Sequence, residues 1–339
     1  MELRPSADQQ QLIDTFAALY AKESPPERVR AAEPLGFDRR LWDLLVGLGS
    51  ITMAVPEEDG GWGASLLDLA LVAEQHGRAL GPAPLIETQV AARLLARTGP
   101  AAADLLAQVL AGDRLVTLAP RPCRGPVAGL VPAGAVADDV IVLHGDTLTV
   151  VPIGEDRVVP GNLGSMPLAD VPLREGPVIA TGPAAEVAFE SALDDWLALT
   201  AAALAAMALR SVEIGVDYAS EREAFGQPIG GFQAVGHRLA DCRVAADGAG
   251  LLARQAAWAA GEDPERFPVL APMAYGFAAE AARDASYWAL HFHGGYGFML
   301  EYDIQLSYRR SRAWANVVMD PRRAYRRVAD RRYGPVGAG

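Results

Sequence analysis

The sequence predicts an α+β multidomain protein with an N-terminal helical domain, a small middle β-barrel or β-sandwich domain and a C-terminal four-helix bundle. Three observations predict this order. Apolar residues recur at helical spacing over residues 1–112, short β-rich runs punctuated by proline and glycine occupy residues 113–185, and long helical patterns return over residues 186–333. A glycine-rich tail, residues 334–339, follows. A chain of 339 residues is long enough for two or three domains with cores of their own.

The N-terminal domain is predicted from three amphipathic segments. Ser6 is a good N-cap, and apolar residues follow it at helical spacing as far as Tyr20. A second pattern covers residues 41–48 and a third covers residues 66–80. Between them, residues 55–63 contain four glycines or prolines in nine positions, which predicts a loop.

The middle and C-terminal domains have different periodicities. Residues 115–118, 139–143 and 147–152 are β-rich runs, and Gly145-Asp146 between the last two predicts a hairpin turn. Beyond them, one stripe spaced 4-3-4-3-4-3-4 predicts a long helix through Leu193, Leu197, Thr200, Leu204, Met207, Ser211, Ile214 and Tyr218. Further helices are predicted over residues 231–261, 265–291 and 303–331, as expected for a bundle of antiparallel helices.

Composition excludes several classes of protein. A net charge of −12 argues against nucleic acid as a partner. No apolar run is long enough to predict a membrane span, and the first residues do not resemble a signal peptide. Two distant cysteines, Cys123 and Cys242, and five histidines predict neither a metal site nor a disulfide framework, so we expect a cytoplasmic protein. Nine arginines in residues 309–332 fit either a solvated helix face, the commoner case, or a phosphate contact.

The segment 222–233, Arg-Glu-Ala-Phe-Gly-Gln-Pro-Ile-Gly-Gly-Phe-Gln, resembles the flavin-clamping signature of the acyl-CoA dehydrogenases. A guanidinium such as that of Arg222 can bind a pyrophosphate bidentately, and Phe225 offers a flat face to the adenine or ribityl region. Gln233 has the spacing from Arg222 that the family uses for a second polar contact. The resemblance therefore implies FAD as the cofactor.

A second segment, His-Gly-Gly-Tyr-Gly-Phe over residues 293–298, resembles the companion turn of that signature. Without side chains at Gly294 and Gly295, backbone amides can approach an anion closely. The family usually has glutamine three residues before the first glycine; here His291 stands there, and its imidazole can still donate a hydrogen bond. The alternative interpretation is that Arg222 pairs with a carboxylate of the bundle and the glycines merely end a helix.

The resemblance extends to the order of the domains, which is that of the acyl-CoA dehydrogenase fold. In the N-terminal domain the matching residues are Trp42, Leu48-Gly49, Val55-Pro-Glu-Glu58, Gly60-Gly61 and Glu74-Gln-His-Gly-Arg78. The resemblance implies an acyl-CoA thioester as the substrate, and an electron-transfer flavoprotein as the electron acceptor.

The glutamate that removes the α-proton in this family is not found at either of its two positions. Those positions fall on Val318 and Trp196, neither of which can accept a proton. Asp320 lies two residues past the first position, and Asp194 and Asp195 flank the second. The simpler interpretation of Asp194 and Asp195 is that they are charges near a helix N-terminus, where the helix dipole favours them. Asp195 and Asp320 are therefore only weak candidates for the base, and no catalytic residue is assigned.

The middle domain lacks the family's flavin-binding elements as well. Neither Ala-x-Thr-Glu-x-x-Gly-Ser-Asp nor Trp-Ile-Ser/Thr-Asn occurs between residues 113 and 185. The chain is therefore similar to the catalytically deficient subunit of the heteromeric (α2β2) acyl-CoA dehydrogenases of steroid side-chain degradation, which implies a partner subunit that carries the glutamate and a bulky steroid-CoA substrate. Two alternatives stay open: a self-sufficient homotetramer that uses Asp195 or Asp320 as base, and a non-catalytic scaffold that binds no flavin.

Overall fold

A computed structural model describes residues 3–334, which form eleven α-helices and eight β-strands. Most of the predicted tail at residues 334–339 lies outside the described residues. The helices are α1 Ala7–Glu23, α2 Pro26–Ala32, α3 Arg39–Gly47, α4 Leu66–Arg78, α5 Leu85–Thr98, α6 Ala103–Ala111, α7 Gly182–Glu221, α8 Gln233–Glu262, α9 Phe267–Phe292, α10 Ile304–Trp314 and α11 Pro321–Tyr333. The strands are β1 Val116–Leu118, β2 Val127–Val131, β3 Asp139–His144, β4 Thr147–Pro152, β5 Ala169–Pro172, β6 Val178–Thr181, β7 Glu223–Ala224 and β8 Gln227–Pro228.

The chain folds into two compact units, each assembled from separated stretches of sequence. The bundle unit comprises the described parts of Met1–Pro26, Ala70–Gly81 and Leu197–Gly339. The sheet unit comprises Glu27–Leu69 and Pro82–Trp196. The division into domains at residues 112 and 185 stays a prediction.

In the sheet unit, the predicted β-rich runs are strands of one four-stranded sheet with the order β1-β3-β4-β6. β1 pairs with β3 in parallel, and β3 and β4 form the predicted hairpin, whose turn contains Gly145 at φ +61°. β2 and β5 form a separate antiparallel pair. Apolar side chains from both sheets make one core, which includes Ala128, Val131, Val140, Val142, Val151, Ala169 and Val171. Burial of these alternating valines and alanines stabilises the sheets.

The N-cap predicted at Ser6 is confirmed. The Ser6 hydroxyl accepts from the backbone N–H of Gln9, and the Gln9 side-chain oxygen accepts from the backbone N–H of Ser6. This reciprocal capping box satisfies two backbone donors at the start of α1.

In the bundle unit, the segment 74–78 joins α4 to its neighbours through side chains at helical spacing. Glu74 accepts two hydrogen bonds from Arg254 of α8, both 2.7 Å long, and Arg78 donates to Glu213 of α7 at 2.9 and 2.6 Å. Gly77 lies against the backbone of Ala203, where a Cβ would come within 2.1 Å of the carbonyl oxygen. The residues of this segment thus have a packing role in addition to their resemblance to the family.

His76 of the same segment is buried and contacts two aromatic rings. Its Nδ1 lies 2.9 Å from the hydroxyl of Tyr20, and its ring stacks on Trp314 with the centroids 5.6 Å apart. Burial lowers the pKa of His76 to about 4, because the charged imidazolium would lose its hydration. The ring is therefore neutral at pH 7, and α1, α4 and α10 meet around it.

The predicted helices over residues 231–261 and 265–291 are confirmed as α8 and α9, but the single helix predicted over residues 303–331 is wrong. That segment forms α10 and α11, which are separated between Ala315 and Asp320. Pro321 explains the break, because a proline disfavours helical geometry in the preceding residue and lacks the N–H that a continuous helix needs. Asp320 has φ −59° and ψ 131° and instead caps α11.

The interpretation of Asp194 and Asp195 as charges near a helix N-terminus is also wrong. α7 begins at Gly182, so both residues lie about three turns inside the helix. Both are buried, with Asp195 only 1% exposed. A helix dipole acts within the first turn, so it does not account for carboxylates at this depth.

α7 is long and apolar enough to cross a bilayer by length and composition alone. However, 72% of its most apolar window is buried inside the protein. Because the protein itself covers these side chains, a core helix accounts for the composition of α7.

Candidate cofactor-binding surface

The first motif folds into a short hairpin at the end of α7. The backbone N–H of Arg222 still bonds to the carbonyl of Tyr218, at 2.8 Å, and its own carbonyl accepts from Ile229 across the hairpin, also at 2.8 Å. Phe225 and Gly226 form the turn between β7 and β8 with φ +54° and +82°. Two positive φ values in a two-residue loop match the turns that join tightly twisted strands.

The hairpin exposes the residues that the sequence singled out. Arg222 and Gln233, the first residue of α8, are both exposed. Phe225 is 97% exposed and contacts Phe232 edge-to-face, with the ring centroids 6.1 Å apart. A bulky residue at positive φ costs stability, so its persistence at an exposed tip favours a binding role over a packing role.

The second motif is a one-turn extension beyond the end of α9. Gly294 has φ +60°, and residues Gly294–Phe298 form a 3-10 turn. A Cβ on Gly294 or Gly295 would meet no atom within 4 Å, so the backbone at both positions faces open space. Gly297 differs from them, because a Cβ there would lie 2.5 Å from the Leu290 carbonyl oxygen. Two glycines thus leave room for a ligand, and the third permits close packing.

One aromatic stack brings the two motifs together. The ring of Tyr218, one turn before Arg222, lies on the ring of His293, one residue before Gly294, with centroids 3.9 Å apart. His293 Nδ1–H donates to the carbonyl of Ala289 at 2.7 Å, and burial lowers the pKa of His293, so the ring is neutral at pH 7. This contact joins the segments that carry Arg222, Phe225, Gln233, Gly294 and Gly295, and we call these five residues the clamp surface.

His291 lies at the edge of this surface among other aromatic rings. It is exposed and stacks on Tyr287 at 5.9 Å, while its edge contacts Trp288 at 5.5 Å. The guanidinium of Arg238 lies over the other part of this cluster, 4.6 Å from the centroid of the Trp288 ring. Such a cation–π contact fixes α8 against α9 next to the clamp surface.

The positions expected for a catalytic base are buried. Val318 and Trp196 are each 1% exposed. The hydroxyl of Tyr275 lies 2.9 Å from the carbonyl oxygens of both Ala315 and Met319, which holds the segment around Val318 in place. Neither position offers a side chain that could exchange a proton with a substrate.

Asp195 is engaged by two arginines. Arg93 Nε donates to its Oδ2 at 2.8 Å and Arg97 donates to the same oxygen at 2.6 Å, while Arg93 also donates to the carbonyl of Ala54. Burial alone would raise the pKa of Asp195, but the charges and hydrogen bonds of Arg93 and Arg97 outweigh it and hold the pKa below its usual value. A carboxylate so strongly stabilised in its ionised form is a poor proton acceptor.

Asp320 has a similar local explanation. Its side chain accepts from the backbone N–H of Arg322 at 2.8 Å as the N-cap of α11 and pairs with the Arg322 guanidinium at 3.0 Å. The hydrogen bonds from the Arg322 side chain and backbone lower the pKa of Asp320. Capping is therefore a sufficient reason for an aspartate at this position.

Comparison with known proteins agrees with the motifs. Residues 6–112 match the acyl-CoA dehydrogenase N-terminal domain, and residues 188–315 match the acyl-CoA dehydrogenase C-terminal domain. The chain is 33% identical over 329 residues to the acyl-CoA dehydrogenase IpdE2 of Mycolicibacterium smegmatis, covering 95% of this chain and 98% of that relative. The chain belongs to the acyl-CoA dehydrogenase family.

This acyl-CoA dehydrogenase chain is similar to two solved structures that involve pairs of proteins. The ChsE4–ChsE5 complex of Mycobacterium tuberculosis superposes with a TM-score of 0.87 at 25% identity, over 97% of this chain and 98% of the other. A variant of the steroid acyl-CoA dehydrogenase Tcur3481–Tcur3483 superposes with a TM-score of 0.84 at 26% identity, over 96% of this chain and 97% of the other. The predicted fold class, an α+β acyl-CoA dehydrogenase fold, is confirmed.

The family depends on FAD, and the clamp surface fits the ADP half of that cofactor. Arg222 has no ion-pair partner among residues 3–334, unlike Arg78 and Arg254, so its guanidinium is available to a pyrophosphate. The open backbone at Gly294 and Gly295 supplies a place where a phosphate can approach. These observations disfavour the alternative in which Arg222 merely pairs with a carboxylate of the bundle.

The structure adds residues that the motifs did not single out. Tyr218 belongs to the apolar stripe that predicts α7, and that pattern indicates helix packing only. Arg238 and Trp288 had no sequence signal, because their contact joins residues fifty positions apart on two helices. In the described residues no group of three or more histidine, cysteine, aspartate or glutamate side chains is placed to hold a metal ion.

Proposed function

We propose that this chain is one subunit of a heteromeric, FAD-dependent acyl-CoA dehydrogenase that carries out α,β-dehydrogenation of a bulky steroid side-chain CoA ester. The chain contributes the clamp surface for the ADP half of FAD. A second acyl-CoA dehydrogenase chain supplies the pocket for the flavin ring and the catalytic glutamate. The complex is cytoplasmic and passes its electrons to an electron-transfer flavoprotein.

The observation that carries the proposal is a difference between two sets of residues. The clamp residues Arg222, Phe225 and Gln233 are exposed, and Arg222 has no ion-pair partner within residues 3–334. Val318 and Trp196 are buried and apolar where a base is required. A chain that displays a cofactor-binding surface without a proton acceptor needs that acceptor from elsewhere.

The remaining aspartates do not supply the base. Asp195 is held ionised by Arg93 and Arg97, and Asp320 is the N-cap of α11. The alternative of a self-sufficient homotetramer using either residue requires the loss of these interactions during turnover. The structure thus gives each aspartate a role in stability that does not involve a substrate.

Similarity supports the heteromer and the class of substrate. The ChsE4–ChsE5 structure described above is a complex of two proteins, and Tcur3481–Tcur3483 is a steroid acyl-CoA dehydrogenase. At 25% and 26% identity over nearly the full chain, these resemblances support a shared mode of assembly more strongly than a shared acyl group.

The division of chemistry follows from the residues present. When bound, FAD would supply the acceptor for the hydride from the substrate Cβ. The part of this chain is to hold and orient: Arg222 would bind the pyrophosphate through a charge-assisted contact, and Phe225 would cover the adenine or ribityl region. Gln233 and His291 add polar contacts. The α-proton goes to the glutamate of the partner chain.

Expression with and without a partner tests the proposal. We expect the chain alone to purify colourless and inactive, and to form a yellow, active complex when produced with a second acyl-CoA dehydrogenase chain from a neighbouring gene that has glutamate at a base position. A yellow, active solo protein would establish the homotetramer instead. A complex that assembles but stays colourless would establish the non-catalytic scaffold.

A further inference from the structure

His291, in the last turn of α9, stands where the family resemblance implies a glutamine. Its imidazole is exposed, and two rings from the preceding turn contact it. Tyr287, four residues earlier, stacks on it with the ring planes 17° apart and the centroids 5.9 Å apart. Trp288, three residues earlier, contacts it with the planes 85° apart and the centroids 5.5 Å apart. Side chains at these spacings meet on one face of a helix, so both contacts follow from the sequence of α9.

Trp288 is held in turn from the neighbouring helix. The guanidinium carbon of Arg238, on α8, lies 4.6 Å from the centroid of the Trp288 ring. A guanidinium at this distance is attracted by the negative face of an indole. Arg238, Trp288 and His291 therefore contact one another in series, from α8 to the turn of α9 that precedes Gly294.

The carboxylate beside Arg238 does not account for the position of this arginine. Asp241 Oδ2 is 3.8 Å from the guanidinium, and the two side chains are 46% and 72% exposed, so their ion pair contributes little. Arg243, further along the same helix, differs from Arg238 because it donates to both carboxylate oxygens of Asp247, at 3.0 and 2.9 Å. One exposed arginine of α8 thus neutralises a carboxylate, whereas the other lies on an aromatic ring.

We infer that Arg238 is a positioning residue for FAD: through Trp288, it holds the ring of His291 in place at the edge of the clamp surface. The inference rests on the proposed function, in which His291 gives a polar contact to the ADP half of the cofactor. An exposed imidazole without neighbours populates several rotamers, and a ligand that binds it has to restrict them. Here the series from Arg238 to His291 restricts them when the chain folds. Rings can hold a histidine in this way because aromatic side chains pair edge-to-face and by stacking.

A double-mutant cycle on the assembled complex tests the inference. FAD is titrated into the flavin-free complex of this chain with its partner, and flavin fluorescence gives the dissociation constant. Arg238→Ala should weaken FAD binding by about two- to fivefold, the range expected for loss of one exposed cation–π contact. In a complex that carries His291→Ala, the same change should have no further effect, because Arg238 acts through that ring.

Two further variants separate positioning from the loss of a charge. Arg238→Lys keeps a cation that can lie over Trp288, so it should restore FAD affinity. Arg243→Ala removes an equal charge from the same helix and should bind FAD as the wild type does. In the chain alone, NMR of the imidazole Cε1–H groups reports the ring position without FAD. The His291 signal, identified by its loss in His291→Ala, should move in Arg238→Ala and return in Arg238→Lys, since neighbouring rings set its chemical shift.

Three results would overturn the inference. In the first, Arg238→Ala binds FAD as tightly as Arg243→Ala, although Arg222→Ala weakens binding; the proposed function would then stand alone. In the second, Arg238→Ala weakens binding equally with and without His291, so its charge acts directly on the phosphates. In the third, the His291 signal does not respond to Arg238→Ala. A wild-type complex that takes up no FAD, while the His291 signal still responds, would instead refute the proposed function.

Discussion

The clamp surface and the two base positions of this chain differ in how far the fold exposes their side chains to solvent. Arg222 and Phe225 are exposed, and Phe225 even keeps a positive φ at a hairpin tip. Trp196 and Val318 are each 1% exposed. Under the proposed function, the exposed residues bind a cofactor, whereas the two positions where the family resemblance leads us to expect an acid hold buried, apolar side chains.

Restoring an acid at a base position should produce the largest effect. Trp196→Glu removes a large buried ring and inserts a carboxyl group among apolar neighbours, so the free energy of unfolding should fall by more than about 5 kcal/mol. Urea titration followed by circular dichroism measures this. Trp196→Phe should lose much less, and neither variant should give the chain dehydrogenase activity by itself. A stable, active Trp196→Glu protein would show that this position can hold a catalytic acid, and it would contradict the contrast between an exposed clamp surface and closed base positions.

Removing Asp195 should lower stability without affecting turnover. Asp195→Ala leaves Arg93 and Arg97 without their shared carboxylate, and breaking a buried ion pair in this way costs about 3–5 kcal/mol. Asp320→Ala is the control, because loss of a solvent-accessible N-cap should cost much less stability than loss of a buried ion pair. Chemical denaturation measures the loss of stability in both variants. For both, kcat of the assembled complex should stay at the wild-type value. A large fall in kcat for Asp195→Ala, with assembly intact, would reassign the base to this chain.

Burial of His76 in the bundle unit predicts that the stability of the chain depends on pH. His76 has a pKa of about 4 in the folded chain, below its value of about 6.5 when unfolded, so protonation favours the unfolded state. Its contribution to stability is complete above pH 6.5 and is lost as the pH falls from about 6.5 to about 4, for a total of about 3 kcal/mol. We expect the difference in unfolding free energy between the wild type and His76→Phe to change by this amount across that window. An equal pH dependence in both proteins would show that His76 is accessible to protons in the folded state.

Truncating Arg222 tests the exposed side of the comparison. Arg222→Ala removes a charge-assisted contact worth about 1.5–3 kcal/mol, so the complex should bind FAD roughly 10- to 150-fold more weakly. FAD fluorescence during dialysis measures the loss. Arg326→Ala removes another exposed arginine of the bundle unit, on α11, and should leave FAD retention unchanged. Equal retention in the two variants would mean that the clamp surface does not contact the cofactor.

The smallest effect should come from the stack beneath the clamp. Tyr218→Leu removes an aromatic pair worth about 0.5–1.5 kcal/mol, and FAD binding should weaken by roughly two- to tenfold through misplacement of the glycine turn. Tyr218→Phe keeps the ring on His293 and should bind FAD as the wild type does. If Tyr218→Phe weakens binding as much as Tyr218→Leu, the hydroxyl and not the stack is the important group.

Periodicity and turn chemistry are sufficient to predict much of the fold from the sequence. The spacing of Leu193 to Tyr218 predicted α7, and Gly145-Asp146 predicted the β3–β4 hairpin, because both signals are local. The break before Pro321 was also readable from local chemistry, yet the apolar pattern on both sides of it favoured one helix over residues 303–331. The helical periodicity therefore outweighed the proline in the prediction, although the proline ends the helix.

The candidate site was only partly predictable for a different reason. Motif spacing identified Arg222 and Gly294, but the ring contact that joins their segments links residues 218 and 293. The partners of Asp195 lie 102 and 98 residues earlier in the chain, so its buried ion pairs had no sequence signal. Pairings over such distances depend on how helices pack, which composition and periodicity do not encode.

The stack of Tyr218 on His293 has a consequence for the energetics of binding. Because the ring contact and the His293 Nδ1–H bond to Ala289 already fix the turn, the backbone around Gly294 has little conformational freedom left to lose. Two glycines in a mobile loop would each oppose binding through the entropy of ordering. Here that entropy is lost when the chain folds, so under the proposed function a cofactor would meet a turn that is already ordered, and the contacts it makes there would set its affinity.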